Sequence, residues 1–202
     1  MSAGNESVPR AWQRMLSGRR LDLLAPKPED IEIEDIAHGL ARVARWNGQT
    51  VGEHAFSVAQ HSLVVTDILE VLEPAFSARQ LCAGLLHDAA EYVIGDLISP
   101  FKAAIGLDYK AFEQNLLSAI YRRFEIGEMD AHVISAIKRA DTIAAYYEAT
   151  VLAGFERQEA ERFFGRPTLP DGLDRKLSLL TSYSTSEAQT RFLEGFARLS
   201  RF

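Results

Sequence analysis

The amino-acid sequence predicts an all-α protein that folds as a single domain. Its apolar residues recur mostly at the three- and four-residue spacing of amphipathic helices, and the alternation typical of strands is scarce. The chain has 202 residues, of which 47% are hydrophobic and 25% are charged. A chain of this size and composition can bury a full core without a disulfide. Because no repeat, low-complexity tract or long linker divides the sequence, we expect residues 1–202 to form one domain.

Apolar spacing and a capping pattern predict the first two helices. Residues 1–28 form an N-terminal segment that ends in a loop-like stretch. The sequence Thr50-Val51-Gly52-Glu53 has the form of a capping box, in which a hydroxyl and a carboxylate bind free amides at a helix start. We expect that helix to run to about Glu73. The inward positions are Ile33, Ile36, Ala37, Leu40 and Val43 in the first helix and Val58, Val65, Ile68 and Leu72 in the second.

The same reasoning predicts the later helices. Ser77-Ala78-Arg79-Gln80 is a second capping box, and its helix is expected to end near Gly95. Ser184-Thr185-Ser186-Glu187 is a third box, which opens a last helix that continues to Leu199. The other predicted elements are a helix start at Ser99-Pro100, helices over residues 109–124 and 130–152, and an exposed loop over residues 165–172.

Charge and cysteine content exclude several classes of function. Lysine and arginine total 22 against 28 aspartates and glutamates, which gives a formal charge of −6. Proteins that follow a nucleic-acid backbone usually carry the opposite sign, so a polymeric nucleic acid is disfavoured as a partner, although a local basic pocket for a small phosphate is not. Cys82 is the one cysteine of the chain, which excludes an internal disulfide and a multi-cysteine zinc site.

The sequence also predicts that the protein is cytoplasmic and does not attach to a membrane. No apolar run reaches the ~18 residues expected of a membrane span. Residues 1–10 lack the apolar core of a signal peptide.

Four polar residues interrupt helix faces that are otherwise apolar. They are His61, His87, Asp88 and Asp141, the last of which follows Ile134 at helical spacing. Burying an ionised carboxylate without a partner costs much free energy, and one divalent cation would satisfy all four side chains. Imidazole nitrogens combined with carboxylate oxygens suit a first-row transition metal better than calcium.

Each of these residues also has an ordinary structural interpretation when it is taken alone. His61 could be a hydrogen-bonded core residue, and Asp141 could pair with Lys138 or Arg139 near it on its helix. The dipeptide His87-Asp88 occurs readily by chance. It is the combination and its order along the chain that favour a metal site.

The order of these residues resembles the metal signature of the HD superfamily of phosphohydrolases, and more specifically its YfbR-like 5′-deoxynucleotidase branch. Gln60 departs from that branch, in which a glutamate more often precedes the histidine. The resemblance covers about residues 37–152, while the N-terminal segment and the C-terminal loop and helix region, residues 155–202, match less clearly. The matching blocks are Arg45-Trp46, Ser57-Val58-Ala59-Gln60-His61-Ser62-Leu63, His87-Asp88-Ala89-Ala90-Glu91 with Gly95-Asp96, and Ala140-Asp141 with Ala145-Tyr146.

The resemblance implies a helical bundle with a metal site in its core. His61, His87, Asp88 and Asp141 would hold one divalent ion, for which Co²⁺ and Mn²⁺ are the first candidates and Mg²⁺, Zn²⁺, Ni²⁺ and Fe²⁺ the others. The implied substrate is a nucleoside 5′-monophosphate, preferably the deoxy form, which is hydrolysed to nucleoside and phosphate. Relatives are often homodimers, which suggests the same state for this chain.

Two further carboxylates are candidate catalytic groups. Glu91 lies four residues after His87, so helical geometry would place it beside the metal pair, and Asp96 follows the predicted helix end at Gly95. Two carboxylates near a cation can divide the roles of general acid and general base, and the sequence leaves open which does which. The alternative is that both belong to a solvated helix end.

Arg45 and Trp46 are the candidate substrate-binding pair. An arginine offers a planar fork of donors to a phosphate, and a tryptophan offers a rigid wall to a sugar or base. For the neighbouring Arg42 we favour a surface position at a helix end, where a cation offsets the helix dipole. His54 would share a face with His61 if the helix began at Thr50, but a capping or core position is the favoured interpretation.

Two competing functions stay open at this point. The same metal centre could hydrolyse a guanosine alarmone or a nucleoside triphosphate at another phosphorus atom. A regulatory HD domain could instead bind a nucleotide without turnover, although the presence of Glu91 and Asp96 argues against it.

Overall fold

A computed structural model describes residues 11–96 and 107–202 and is mostly helical, as the sequence predicts. A short antiparallel hairpin of β1 (Trp12–Arg14) and β2 (Arg20–Asp22) comes first. Single helical turns of the 3-10 type lie at Pro28–Asp30 and Arg45–Gly48. The α-helices are α1 (Ile33–Leu40), α2 (Val58–Leu72), α3 (Ala78–Leu85), α4 (Glu91–Ile94), α5 (Leu107–Arg123), α6 (Ala131–Val151), α7 (Arg157–Phe164), α8 (Asp171–Leu177) and α9 (Thr185–Leu199).

Helix α2 is the centre of the fold. It packs against α3, α6 and α9, while α1 packs against α4 and α9. Residues on nearly every side of α2 are buried, from Val58 to Leu69, which is the pattern of a helix inside a core rather than on a surface. A polar side chain in the middle of α2, such as His61, is therefore surrounded by protein.

The hairpin was not predicted from the sequence. Its strands have three residues each, which is too short for an alternating pattern to stand out. Leu21 of β2 is fully buried, and Ser17 in the turn donates hydrogen bonds from its backbone N–H and its hydroxyl to the Asp35 carboxylate of α1. These contacts hold the hairpin against the helices.

The predicted start of α2 at Thr50 is wrong. The helix begins at Val58, and the Ser57 hydroxyl accepts a hydrogen bond from the Gln60 N–H as its N-cap. Residues 51–55 are exposed, and Gly52 has a φ of 107°, which a right-handed helix does not allow. A helix gains stabilisation from burial only from Val58 onward, because residues 51–55 are exposed to solvent.

The capping box at Ser77 is confirmed, but its helix ends early. Both hydrogen bonds of the box are present, and α3 ends at Leu85 instead of continuing to Gly95. The His87 ring donates a hydrogen bond from Nδ1 to the Gly84 carbonyl at 2.8 Å. A side chain thus competes with the backbone for a carbonyl at the end of the helix. The chain then turns through residues 86–90 and resumes as α4.

The helices predicted over residues 109–124, 130–152 and 184–199 agree with α5, α6 and α9 to within two residues. Three other features differ from the predictions. Ile134 is 57% exposed, so the predicted inward face of α6 is wrong at that position. Helix α7 was missed, since Ala160 is its one buried residue and leaves little apolar pattern. Helix α8 begins at Asp171, inside the predicted loop over residues 165–172. The predicted helix start at Ser99-Pro100 falls outside the described residues.

Within residues 11–96 and 107–202, no helix is both long and apolar enough to cross a membrane.

Candidate active site

Two histidines and an aspartate converge beside the middle of α2. His61 lies on α2, whereas His87 and Asp88 lie in the turn after α3, and one potential ligand atom from each lies within 4.8 Å of the other two. The Asp88 Oδ2 atom is 3.2 Å from His87 Nε2 and 3.5 Å from His61 Nε2. The close packing of α2 and α3 brings these residues together from separate parts of the sequence.

Asp141 approaches the same point from α6. Its Oδ1 atom lies 3.2 Å from His61 Nε2, and its side chain is 40% exposed, whereas the His61 side chain is fully buried. The cluster therefore has a closed side at His61 and an open side at Asp141. Such a site is accessible to a ligand from one direction.

The two histidine rings present the same nitrogen to the cluster. His61 Nδ1 donates to the Glu148 carboxylate at 2.6 Å, and His87 Nδ1 donates to the Gly84 carbonyl at 2.8 Å. Because an ionised carboxylate and a carbonyl can only accept, the Nδ1 atom of each ring carries the proton, and a neutral ring then has its lone pair on Nε2.

Both Nε2 atoms are buried and face carboxylate oxygens at 3.2 to 3.5 Å, which cannot donate a hydrogen bond to the lone pair of a neutral ring. A buried acceptor without a partner is costly, and a metal ligand whose other ring nitrogen is held by an acceptor is a common arrangement. The donor set of two imidazole nitrogens and two carboxylates therefore fits a divalent transition metal.

The electrostatics of the cluster favour positive charge. Burial and the nearby Arg45 lower the pKa of His61, but the surrounding carboxylates outweigh both and hold that pKa well above its usual value. Burial raises the pKa of Asp88, but His87 and His61 outweigh it and hold the pKa well below its usual value. The pKa of Asp141 is also lowered, because the effect of His61 outweighs that of burial. A cation at this point would take the place of the proton on His61.

The structure fixes Glu91 close to the cluster by a turn rather than by a continuous helix. Glu91 is the first residue of α4 and is almost fully buried, and its backbone N–H donates to the Asp88 carbonyl at 3.0 Å. The predicted four-residue helical spacing from His87 is therefore not what positions it. Asp96 lies after α4, and its Oδ2 atom is 3.5 Å from Arg45 Nη1.

Arg45 and Trp46 lie on a tight turn between α1 and α2. Trp46 has a φ of 56° and Asn47 a φ of 51°, which is the left-handed region. For a bulky side chain this conformation is an outlier that surrounding contacts must maintain. The Trp46 ring meets Phe155 and Phe164 edge to face, with centroids 5.5 and 6.1 Å apart. The indole thus packs against Phe155, which precedes α7, and against Phe164, the last residue of α7.

Glu148 connects the turn to the cluster. This fully buried side chain of α6 accepts hydrogen bonds from His61 Nδ1, from Arg45 Nε and Nη2 at 3.3 and 3.2 Å, and from Trp46 Nε1 at 2.9 Å. Burial raises its pKa, but Arg45 and His61 outweigh burial and lower the pKa to about 2. The same carboxylate raises the pKa of Arg45 above its ordinary value against the opposing effect of burial.

Sequence reasoning did not identify Glu148. It lies seven residues after Asp141, which is two helical turns along the same face of α6. That spacing is the pattern that would have singled it out, since a carboxylate on the face that carries a candidate ligand needs a partner.

Comparison with known proteins decides the family. The model of the family described as 5′-deoxynucleotidase YfbR-like matches residues 36–165. The chain belongs to this family. It is also 57% identical over 161 residues to an uncharacterized protein of Rhodobacter capsulatus, in an alignment that covers 79% of this chain and 82% of that protein. The residues described above as the candidate site all lie within the part of the chain that matches the YfbR-like family.

Gln60 is where the sequence departs from the pattern expected for a YfbR-like protein, and the structure gives a physical reason. Its Nε2 donates to the Thr181 carbonyl at 2.7 Å, and its Oε1 accepts from the Tyr183 N–H at 2.8 Å. A glutamate at this position cannot make the first bond while it is ionised. Gln60 thus fastens the segment before α9 next to His61.

Three basic side chains lie away from this cluster. Arg42 is exposed beyond the end of α1 and donates to the His38 carbonyl at 2.8 Å, as expected of a cation at a helix C-terminus. His54 is exposed in the loop before α2, so it does not share a face with His61, and the favoured core position is wrong. His132 is exposed near the start of α6, 3.6 Å from Glu73.

Proposed function

We propose that this YfbR-like protein removes phosphate from deoxynucleoside 5′-monophosphates in a reaction that depends on a divalent metal. The observation that carries the proposal is the convergence of two buried histidine Nε2 atoms on two carboxylates, with Arg45 connected to His61 through Glu148. A cationic centre and a guanidinium fork can together balance the negative charge of a phosphate monoester.

We assign His61, His87, Asp88 and Asp141 as the residues that would hold the metal, with Mn²⁺ and Co²⁺ as the first candidates. Their mixed nitrogen and oxygen donors support this choice over calcium. When bound, such an ion supplies Lewis acidity, which polarises the phosphoryl group and makes a water molecule more acidic.

Glu91 and Asp96 are the proposed proton-transfer groups. Hydrolysis forms a bond from a water oxygen to phosphorus and breaks the bond from phosphorus to the 5′-oxygen. One carboxylate accepts the proton of the attacking water, and the other donates a proton to the departing 5′-oxygen. The support is that the Glu91 backbone is held to the Asp88 carbonyl, while the Asp96 carboxylate lies 3.5 Å from Arg45 Nη1.

Arg45 and Trp46 are proposed to bind the substrate. Glu148 engages Nε and Nη2 of Arg45, and this leaves N–H groups of the guanidinium for a phosphate oxygen. The carbon face of Trp46 offers no hydrogen bond to a 2′-hydroxyl and cannot bend away, which favours deoxyribose. The expected homodimer is a separate part of the proposal, and sedimentation of the purified protein tests it.

The experiment is a phosphate-release screen with purified protein. Deoxy- and ribonucleoside monophosphates, nucleoside triphosphates and a guanosine alarmone are each assayed with Mn²⁺, Co²⁺, Mg²⁺, Zn²⁺, Ni²⁺ or Fe²⁺ and with a chelator. We expect inorganic phosphate from deoxynucleoside monophosphates. Release of pyrophosphate or tripolyphosphate would favour the pyrophosphohydrolase, and binding of a nucleotide with no product would favour a regulatory domain.

A further inference from the structure

The Glu148 side chain contacts both the proposed metal-binding cluster and the proposed substrate-binding turn. We propose that Glu148 is a positioning residue that makes the metal affinity of His61 and the sugar selectivity of Trp46 depend on a single carboxylate. The inference rests on the proposed function, because it assigns roles to residues of that same site.

The two oxygens of Glu148 divide the contacts between them. Oε1 accepts only from His61 Nδ1, at 2.6 Å, whereas Oε2 accepts from the Arg45 guanidinium and from Trp46 Nε1. All of these partners are donors, and the carboxylate is fully buried, so no water is needed to complete the arrangement. One oxygen serves the cluster and the other serves the turn.

Only a carboxylate satisfies both sides at once. A glutamine at position 148 would have one acceptor oxygen and one amide group that can only donate. If the amide nitrogen faced His61, the ring would have to move its proton from Nδ1 to Nε2, and Nε2 would lose the lone pair that a metal needs. If the nitrogen faced the turn, Arg45 and Trp46 would lose their shared acceptor.

The turn depends on this acceptor because its backbone is strained. The left-handed conformation of Trp46, with a φ of 56°, costs free energy that surrounding contacts must offset. The indole N–H to Glu148 is the polar contact of that side chain, and the rings of Phe155 and Phe164 fix its plane. Without the hydrogen bond, only the aromatic neighbours would hold the indole, and the proposed wall against the sugar would be less well placed.

The test compares the wild type with Glu148→Gln, Glu148→Asp and the control Asp35→Asn. Asp35 is also a buried carboxylate that accepts two hydrogen bonds, from Ser17, so its amide variant controls for a general loss of stability. Affinity for Mn²⁺ is measured by calorimetric titration of chelator-treated protein without nucleotide. The ratio of kcat/KM for matched deoxy- and ribonucleoside monophosphates is measured on the metal-loaded proteins, at a temperature where circular dichroism shows each to be folded.

We expect Glu148→Gln to lower Mn²⁺ affinity by about 10- to 100-fold, or to lower the deoxy-to-ribo ratio by a comparable factor, according to which way the amide turns. Glu148→Asp keeps two acceptors and should retain more of both properties. Asp35→Asn should change neither. If Glu148→Gln does not fold, Glu148→Asp decides, since its shorter side chain must loosen at least one of the two sets of contacts.

The proposal is overturned if the variant at position 148 changes both quantities no more than Asp35→Asn does. The two proposals can fail separately. A wild type that releases phosphate together with an unaltered Glu148→Gln would remove the role of Glu148 and leave the function standing. Lost Mn²⁺ affinity in Glu148→Gln would support that role even if the wild type released no phosphate, because the titration contains no nucleotide.

Discussion

His61 and His87 are held in the same tautomer by two different acceptors, a buried carboxylate and a backbone carbonyl. The backbone acceptor of His87 is present whenever α3 ends as it does, whereas the acceptor of His61 comes from a side chain on another helix. The free energy that orients the cluster is therefore divided between a local turn and a contact across the core.

Asp141 supplies the charge that the proposed metal needs on the open side of the cluster. Asp141→Asn keeps the size of the side chain, and because that side chain is 40% exposed, the core should be unaffected. We expect bound metal to fall below detection while the melting temperature of the metal-free protein stays within a few degrees of the wild type. Elemental analysis measures the metal, and the control is Asp67→Asn, which alters a partly exposed carboxylate on α2 that pairs with Lys176. Full occupancy in Asp141→Asn would show that Asp141 is not a ligand.

Glu91→Gln should separate chemistry from metal binding. The amide fills the same space but can neither accept a proton from water nor donate an acidic one, so kcat should fall by roughly 10²–10⁴ with metal content unchanged. Steady-state kinetics and elemental analysis on the same preparation check this. A variant that loses its metal would instead make Glu91 a ligand or a support for one.

Trp46 and Arg45 should affect different parts of the substrate. Trp46→Ala removes the proposed wall, so it should admit ribonucleotides and reduce the deoxy-to-ribo ratio of kcat/KM by up to about 10²-fold, since an apolar wall rejects a single hydroxyl weakly. Arg45→Ala should lower kcat/KM for both sugars alike, because its proposed partner is the phosphate. An unchanged ratio in Trp46→Ala would contradict the sugar wall.

The start of α2 shows why helix boundaries are harder to predict than helices. Thr50 and Ser57 are each followed after three residues by a glutamate or a glutamine, so both match the local pattern of a capping box. The structure uses Ser57, and Gln60 turns away from the box to bind the segment before α9. Only the burial of residues far apart in the chain distinguishes the two starts.

Because Gln60 donates a hydrogen bond to the segment before α9, a negative charge at position 60 should destabilise the fold. A negative charge at a glutamine that only accepts a hydrogen bond should not. Gln60→Glu places a carboxylate oxygen against the Thr181 carbonyl and should lower the free energy of unfolding by about 1–3 kcal/mol at neutral pH. The deficit should shrink as pH falls and the new carboxyl group gains a proton to donate.

Gln80→Glu is the matched control for that substitution. The Gln80 side chain serves the capping box of α3 as an acceptor, from the Ser77 N–H, and a carboxylate preserves that bond. Urea unfolding of both variants measures the difference. Equal losses in the two would show that the Gln60 amide does not donate to Thr181 in solution.

At the scale of the whole molecule, the carboxylates in and beside the cluster make the free energy of unfolding depend on pH in the acidic range. The pKa of Glu148 is lowered from 4.5 to about 2 in the folded protein. Its contribution is therefore complete above pH 4.5 and is lost as pH falls toward 2, with Asp88 and Asp141 acting in the same direction. The Glu148 shift corresponds to about 3 kcal/mol. When it is measured by urea unfolding between pH 5 and 2, the free energy of unfolding should fall less steeply with falling pH in Glu148→Gln than in the wild type. An equal pH dependence in the two proteins would contradict this contribution of Glu148.

The sequence predicted the helical class and four residues that do converge, because buried polar side chains at helical spacing are visible in a single chain. His61, His87 and Asp88 were placed on inward faces by their apolar neighbours, and the structure brings them together. Glu148 was missed since its partners lie about a hundred residues away, in a turn whose strained backbone has no sequence pattern. Short polar helices such as α7 were missed for a related reason, because they contribute little to the core.

We expect this cluster, loaded with a divalent metal, to hydrolyse a phosphate monoester. The most direct measurement is the release of inorganic phosphate from a deoxynucleoside 5′-monophosphate by wild type and Asp141→Asn, each stripped with a chelator and then titrated with Mn²⁺ or Co²⁺. We expect no release from stripped wild type, recovery that saturates near one metal per chain, and no recovery in Asp141→Asn. Phosphate release that survives metal removal, or an Asp141→Asn variant that recovers like the wild type, would contradict it.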